Sequence, residues 1–309
     1  MARSVKGVIA GLIALSLITS CSSLIDLVGE ENYRITNVRI YRNTPVWELA
    51  RAVDSQNTQK IAIIAAENPE LLDYQDPQFG TTLLFWAVGM EKYEAAEALL
   101  KAGANPNIIS IYEGGTALYR MAGYSFIDND AKKDPRFVEL LLEYGADPNI
   151  GFIGNDRGSK REIGFTPLMR SIGCGIEKTR ALVNGGANVN FRTESGDNAV
   201  SQALLQGIGG GTLALFAYVH YLVVEQQADI TKPVTISPIH GDPFDAYDVT
   251  QLRFWTFPLN SEGHRLKMEV VEEFARQGVD YWATDIPVHT LDRIKKLYPD
   301  TWEEYINRY

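Results

Sequence analysis

The four histidines of this 309-residue chain, His220, His240, His264 and His289, follow one another at gaps of 20, 24 and 25 residues. Two imidazoles on one metal need a spacing of about three to five residues, and none of these pairs meets it. The only cysteines, Cys21 and Cys174, make no zinc pattern. Gly209-Gly210-Gly211-Thr212 lacks the lysine and the spacing of a phosphate-cradling loop and reads as a turn between helices. There is no G-x-S-x-G elbow to raise a nucleophile. His240, Asp242, Asp245 and Asp248 gather in one stretch that could hold a site, but they read as a polar loop ahead of Leu252-Arg253-Phe254-Trp255. The residue types therefore predict no enzyme, no cofactor and no metal. A formal net charge of −10 leaves no basic excess to neutralise phosphates, so nucleic acid is not the expected partner.

The thiol with an expected chemistry is Cys21. Arg3 and Lys6 form a short basic stretch, and Val8 to Ile18 an apolar run of eleven residues, well short of the roughly 20 that span a bilayer. Ile18-Thr19-Ser20-Cys21 then resembles a bacterial lipobox. The resemblance implies cleavage after residue 20 and acylation of Cys21, with acyl chains enough for stable anchoring. Ser22 stands where an aspartate would resemble an inner-membrane retention signal, so the expected place is the periplasmic side of the outer membrane of a Gram-negative cell. Cys174 is left without an intramolecular partner and reads as a small buried apolar residue.

Behind this segment the sequence repeats itself. Gly164-Phe165-Thr166-Pro167-Leu168 opens a unit that ends Gly186-Ala187-Asn188-Val189-Asn190. Gly80-Thr81-Thr82-Leu83-Leu84 leads to Gly103-Ala104-Asn105-Pro106-Asn107, and Gly115-Thr116-Ala117-Leu118 to Gly145-Ala146-Asp147-Pro148-Asn149. A weaker unit runs from Gly196-Asp197-Asn198 to Gln227-Ala228-Asp229, and a degenerate one opens at Thr44-Pro45 with its second helix at 58–67. These openings and endings resemble the ankyrin repeat. The resemblance implies an all-α solenoid of about five to six helix-turn-helix units with hairpin fingers, stacked because no unit can bury its apolar face alone. Extra length falls at 125–134, at 151–163 in the third finger, and at 207–211. The expected organisation is a signal peptide over 1–20, a tether over 21–43, repeats over 44–231, and a degenerate repeat with a helical cap over 232–309. In the last part, helices are expected at 263–277, 285–298 and 300–308.

Ankyrin stacks bind proteins on a concave face made of fingers and inner-helix positions. The variable inner position holds Glu48, Trp86, Arg120, Arg170 and Gln202, a mix enriched in binding hot spots. The fingers add Phe79, Ile111, Tyr112, Phe152, Arg157, Lys160 and Arg161. The partner-binding residues are expected to be Trp86, Arg120, Arg170, Gln202, Phe79, Tyr112, Arg157 and Arg161, the basic finger favouring an acidic complement. Resemblance to bacterial ankyrin lipoproteins implies capture of another protein, foremost immunity against a periplasm-acting toxin. The alternative is a scaffold or protector of an endogenous enzyme, for instance in oxidative defence.

Overall fold

In the computed structural model, residues 33–125, 127, 133–155, 161–236, 244–246 and 248–309 are described. The segment that resembles a lipobox, with Cys21, and the finger residues Arg157 and Lys160 lie outside them. Inner helices start where a side chain replaces a missing backbone acceptor. Thr82 Oγ1 accepts from the Phe85 amide at 3.2 Å, Thr116 from Tyr119 at 3.1 Å and Thr166 from Met169 at 3.3 Å. Asn198 Oδ1 takes two amides, those of Val200 and Ser201, at 2.8 and 3.0 Å. Each such cap stabilises by about 1 kcal/mol.

Five helix pairs follow: α1 (Trp47–Asp54) with α2 (Thr58–Glu67), α3 (Leu83–Gly89) with α4 (Tyr93–Lys101), α5 (Ala117–Ala122) with α6 (Arg136–Glu143), α7 (Pro167–Ser171) with α8 (Ile176–Asn184), and α9 (Ala199–Leu205) with α10 (Leu213–His220). The last runs on into a π-turn at Tyr221–Glu225. Each inner helix packs on the next inner helix and each outer helix on the next outer one, so the chain is an all-α solenoid. One apolar core runs its length, from Ile40 to Tyr281. Among the described residues no helix is long and apolar enough to cross a membrane.

The glycines of the endings take the left-handed backbone that closes a helix, with φ of 101° at Gly103, 84° at Gly145 and 94° at Gly186. The asparagines beyond them lace the units together. Asn107 accepts from the Asp147 amide at 2.8 Å and donates to Gly145 O at 3.0 Å. Asn149 does the same with the Asn188 amide and Gly186 O, and Asn190 accepts from Asp229. Fingers join fingers through Tyr112 N to Phe79 O at 3.0 Å and Ile153 N to Gly114 O at 2.9 Å. Gly114 allows this approach, since a Cβ there would stand 2.1 Å from Gly154 O.

Beyond residue 231 a sixth pair forms, α11 (Asp248–Leu252) with α12 (Glu262–Arg276), and α13 (Val288–Leu297) and α14 (Trp302–Ile306) close the stack. The polar-loop reading of residues before Leu252 is corrected in part. Strands β1 (Val234–Ile236) and β2 (Phe244–Ala246) pair antiparallel as a finger, and α11 already begins at Asp248. Trp255, fully buried, ties this unit to the fifth: its indole donates to Leu204 O at 2.9 Å, and its ring meets Phe216 edge-on at 5.0 Å.

Candidate binding face

Four residues after each opening, the inner helices present one column, and the structure treats its members differently. Glu48 is exposed on α1, bridged to Arg51 and Lys60. Trp86 is only 3 % exposed, and its indole nitrogen is buried without a hydrogen-bond partner. Arg120 is also buried, 3.8 Å from the equally buried Glu113. Both were expected as exposed contacts, and that expectation is corrected: spacing puts them on the inner face, but fingers and neighbouring helices leave them no surface. Arg170 and Gln202 keep partial exposure.

The arginines Arg161 and Arg170 are brought together around one ring. Arg170 lies with its guanidinium carbon 4.6 Å from the Tyr119 ring centre, and Arg161 donates to the Tyr119 hydroxyl at 2.9 Å. Tyr119 is itself buried and stacks on Phe152. Gly123 makes room for the Arg170 side chain, since a Cβ there would come within 2.4 Å of its Nε. Gln202 is held by Asp197, whose Oδ2 accepts from Gln202 Nε2 at 2.6 Å. Burial raises the Asp197 carboxyl above its ordinary range, against the hydrogen bonds from Ser201 and Gln202.

Phe79 and Tyr112 come together at the other end of the face, on adjacent fingers, edge to face at 4.8 Å. Asp76 fixes the first of these fingers, accepting the amides of Gln78, Phe79 and Thr81. Phe79, Tyr112, Met90, Ile127 and residues 34–36 line a trough of about 580 Å³. Gln78 Nε2 donates to Tyr33 O at 3.3 Å, linking the segment ahead of the first repeat to the finger. Ser125 Oγ donates to Glu91 at 2.6 Å and brings the start of the extra loop back beside Met90.

Spacing did not reveal several buried polar groups. Lys178, 1 % exposed, donates to Met121 O and Gly123 O at 2.9 and 3.3 Å, where the end of α5 favours a positive charge. Burial still lowers its pKa. Lys267, fully enclosed, donates to Trp255 O and lies 3.7 Å from the Tyr309 ring centre, while Arg253 covers the Tyr281 ring at 3.7 Å. Asp248 and Gln251 are buried with no hydrogen-bond partner on either side-chain oxygen or on the Gln251 nitrogen. Gln251 continues the inner column into the sixth unit, which an opening threonine would have revealed. Cys174 is a buried free thiol whose pKa burial pushes up. Among the described residues no group of three histidine, cysteine or carboxylate side chains could hold a metal.

Residues 79–111 match the ankyrin repeat model. No match to a curated protein is found for the chain. The matched segment starts in the first finger, takes in α3 and α4, and ends at the next finger. Its geometry recurs in the units on either side, and a stack of this kind is a protein-binding module. The chain therefore contains an ankyrin repeat at residues 79–111, set within a solenoid of like-built helix pairs.

Proposed function

We propose that the chain captures another protein on its concave face while tethered to the periplasmic side of the outer membrane through a lipid on Cys21. The captured protein is a toxin that acts in the periplasm, and capture gives immunity. The observation that carries the binding reading is the pair of arginines, Arg161 and Arg170, gathered on the Tyr119 ring, with Arg170 partly exposed. The inner helices of the second to fifth units carry no carboxylate, and Arg170 is their one charged side chain that keeps exposure, since Arg120 is buried against Glu113. In a chain of net charge −10 these arginines favour an anionic surface on the partner. The tether rests on Arg3, Lys6, the eleven-residue apolar run and the Ile18-Thr19-Ser20-Cys21 box.

Two measurements test the reading. Cys21→Ala should move the protein from the membrane to the soluble fraction on cell fractionation, and full retention in the membrane would defeat the tether. Cells lacking the chain should be killed on contact with toxin-exporting neighbours, and rescue should require Arg170. Rescue by Arg170→Glu as complete as by the wild type would defeat capture through this face. Loss of an endogenous periplasmic enzyme's activity, without any change in killing, would favour the scaffold role instead.

A further inference from the structure

We propose that the fifth and sixth units meet at a proton-dependent joint. It stays closed while the buried side chain of Asp248 is neutral and opens when that side chain ionises, freeing α11 and the β1–β2 finger from the fifth unit.

Among the described residues, three carboxyls and one guanidinium meet at this joint. Asp197 lies just ahead of α9, Asp229 in the ending of the fifth unit, and Asp248 at the first turn of α11, which packs on α9. Arg192 ties the segments together. It donates to Asp229 O at 2.9 Å, to Gly196 O at 3.0 Å, and to Lys232 O and Pro233 O at 3.3 and 3.4 Å. Gly196 lets the chain entering β1 lie against its finger, since a Cβ there would stand 2.6 Å from Pro233 O.

The three carboxyls are not equivalent. Asp197 accepts from the Asn198 amide, the Ser201 hydroxyl and Gln202 Nε2. Asp229 accepts from the amide and the hydroxyl of Thr231. Asp248 is 0 % exposed with no hydrogen bond to either oxygen, and Gln251, one turn on, has none on its side chain. Hydrogen bonds therefore support a charge on the first two and not on the third. Of the charges acting on Asp248, Arg192 favours ionisation, while Asp197 and Asp229 oppose it. A buried carboxylate without hydrogen bonds is costly, so loss of the proton favours an arrangement that water can reach. Parting α11 from α9 supplies that water.

The sign and the size follow from proton linkage. Burial moves the Asp248 carboxyl from 3.8 to about 7, so across that window the closed form keeps a proton that the open form has released. Opening is then favoured as pH rises, by about fiftyfold between pH 5 and pH 7, and levels off above. Lys267 on α12 has the opposite sign, because burial lowers its pKa and its protonation favours opening as pH falls. Gln251 continues the inner column, so the joint adds the sixth unit to the concave face in acid and withdraws it near neutrality.

The test is native-state hydrogen exchange on the full chain at pH 5 and pH 7. Protection factors are compared, so that the pH dependence of the exchange chemistry itself drops out. Protection over α11 should fall about fiftyfold from pH 5 to pH 7 in the wild type, with α3 and α5 unchanged. Asp248→Asn should show equal protection at the two pH values. Asp248→Leu, which also cannot ionise, takes its place if the asparagine variant fails to fold by circular dichroism. Equal protection over α11 at both pH values in the wild type, or a fall that persists without the Asp248 carboxyl, overturns the proposal. A fall of the same size over α3 overturns it too, because the whole chain would then unfold and no joint would open.

Discussion

Asp248 sits fully buried at the first turn of α11 with both oxygens unpartnered, and desolvation raises its pKa to about 7. Arg192 opposes the shift, while Asp197 and Asp229 add to it. The sign follows from proton binding. Between the ordinary value of 3.8 and about 7 the folded chain keeps a proton that the unfolded chain has lost, so stability falls as pH rises through that window. The full loss is on the order of 4 kcal/mol at about 1.4 kcal/mol per unit. Asp248→Asn should therefore melt higher than the wild type at pH 8 and close to it at pH 4. Equal melting temperatures for the two proteins at pH 8 would contradict a desolvated carboxyl. Trp86 makes the opposite case: Trp86→Ala empties a buried site and should cost about 3–5 kcal/mol in denaturant unfolding. Arg170→Glu, partly exposed, should leave the denaturation midpoint nearly unchanged, so only the arginine variant reports on binding free of folding.

At the scale of elements, the units were legible because their openings and endings answer backbone demands that few residues satisfy. Threonine caps, left-handed glycines and the asparagine ladder are local chemistry, so Thr82, Thr116 and Thr166 marked the helix starts and Gly103, Gly145 and Gly186 the ends. The outer helix expected over 58–67 and the late helices near 263–277, 285–298 and 300–308 appear within a few residues of those bounds. What stayed hidden depends on contacts far along the chain. In the sequence Tyr247, not a threonine, precedes α11, so neither the helix nor Gln251 could be aligned with the column. The burial of Trp86 and Arg120 is set by what covers them, which a spacing argument cannot reach. The trough beside Phe79, Met90 and Tyr112 draws the rest of its lining from residues 34–36 and Ile127, which lie outside the regular repeat. Gly114→Ala tests the finger geometry. With φ at 69° and the Gly154 carbonyl in the way, it should lower the melting temperature by several degrees and loosen the third finger. An unchanged melting temperature with intact finger protection in hydrogen exchange would show that the fingers are not nested this closely.

The whole molecule is a line of units, each packed on its neighbours, and this sets how damage at one end should travel. Trp255 gives the sharpest probe. It is fully buried, bonded to Leu204 O, and packed against Phe216 and Phe257, so it fastens the sixth unit to the fifth. Trp255→Ala removes a large ring from a closed site at a cost of about 3–5 kcal/mol. In a quasi-one-dimensional stack that loss is confined to the adjoining interfaces unless coupling between units is strong enough to spread it. The expected result in native-state hydrogen exchange is faster exchange over α9 to α12 and little change over α3 and α5. Exchange rising equally from α1 to α14 would mean that the solenoid unfolds as one cooperative body. The C-terminal cap would then be as necessary for the binding face as the repeats that carry it.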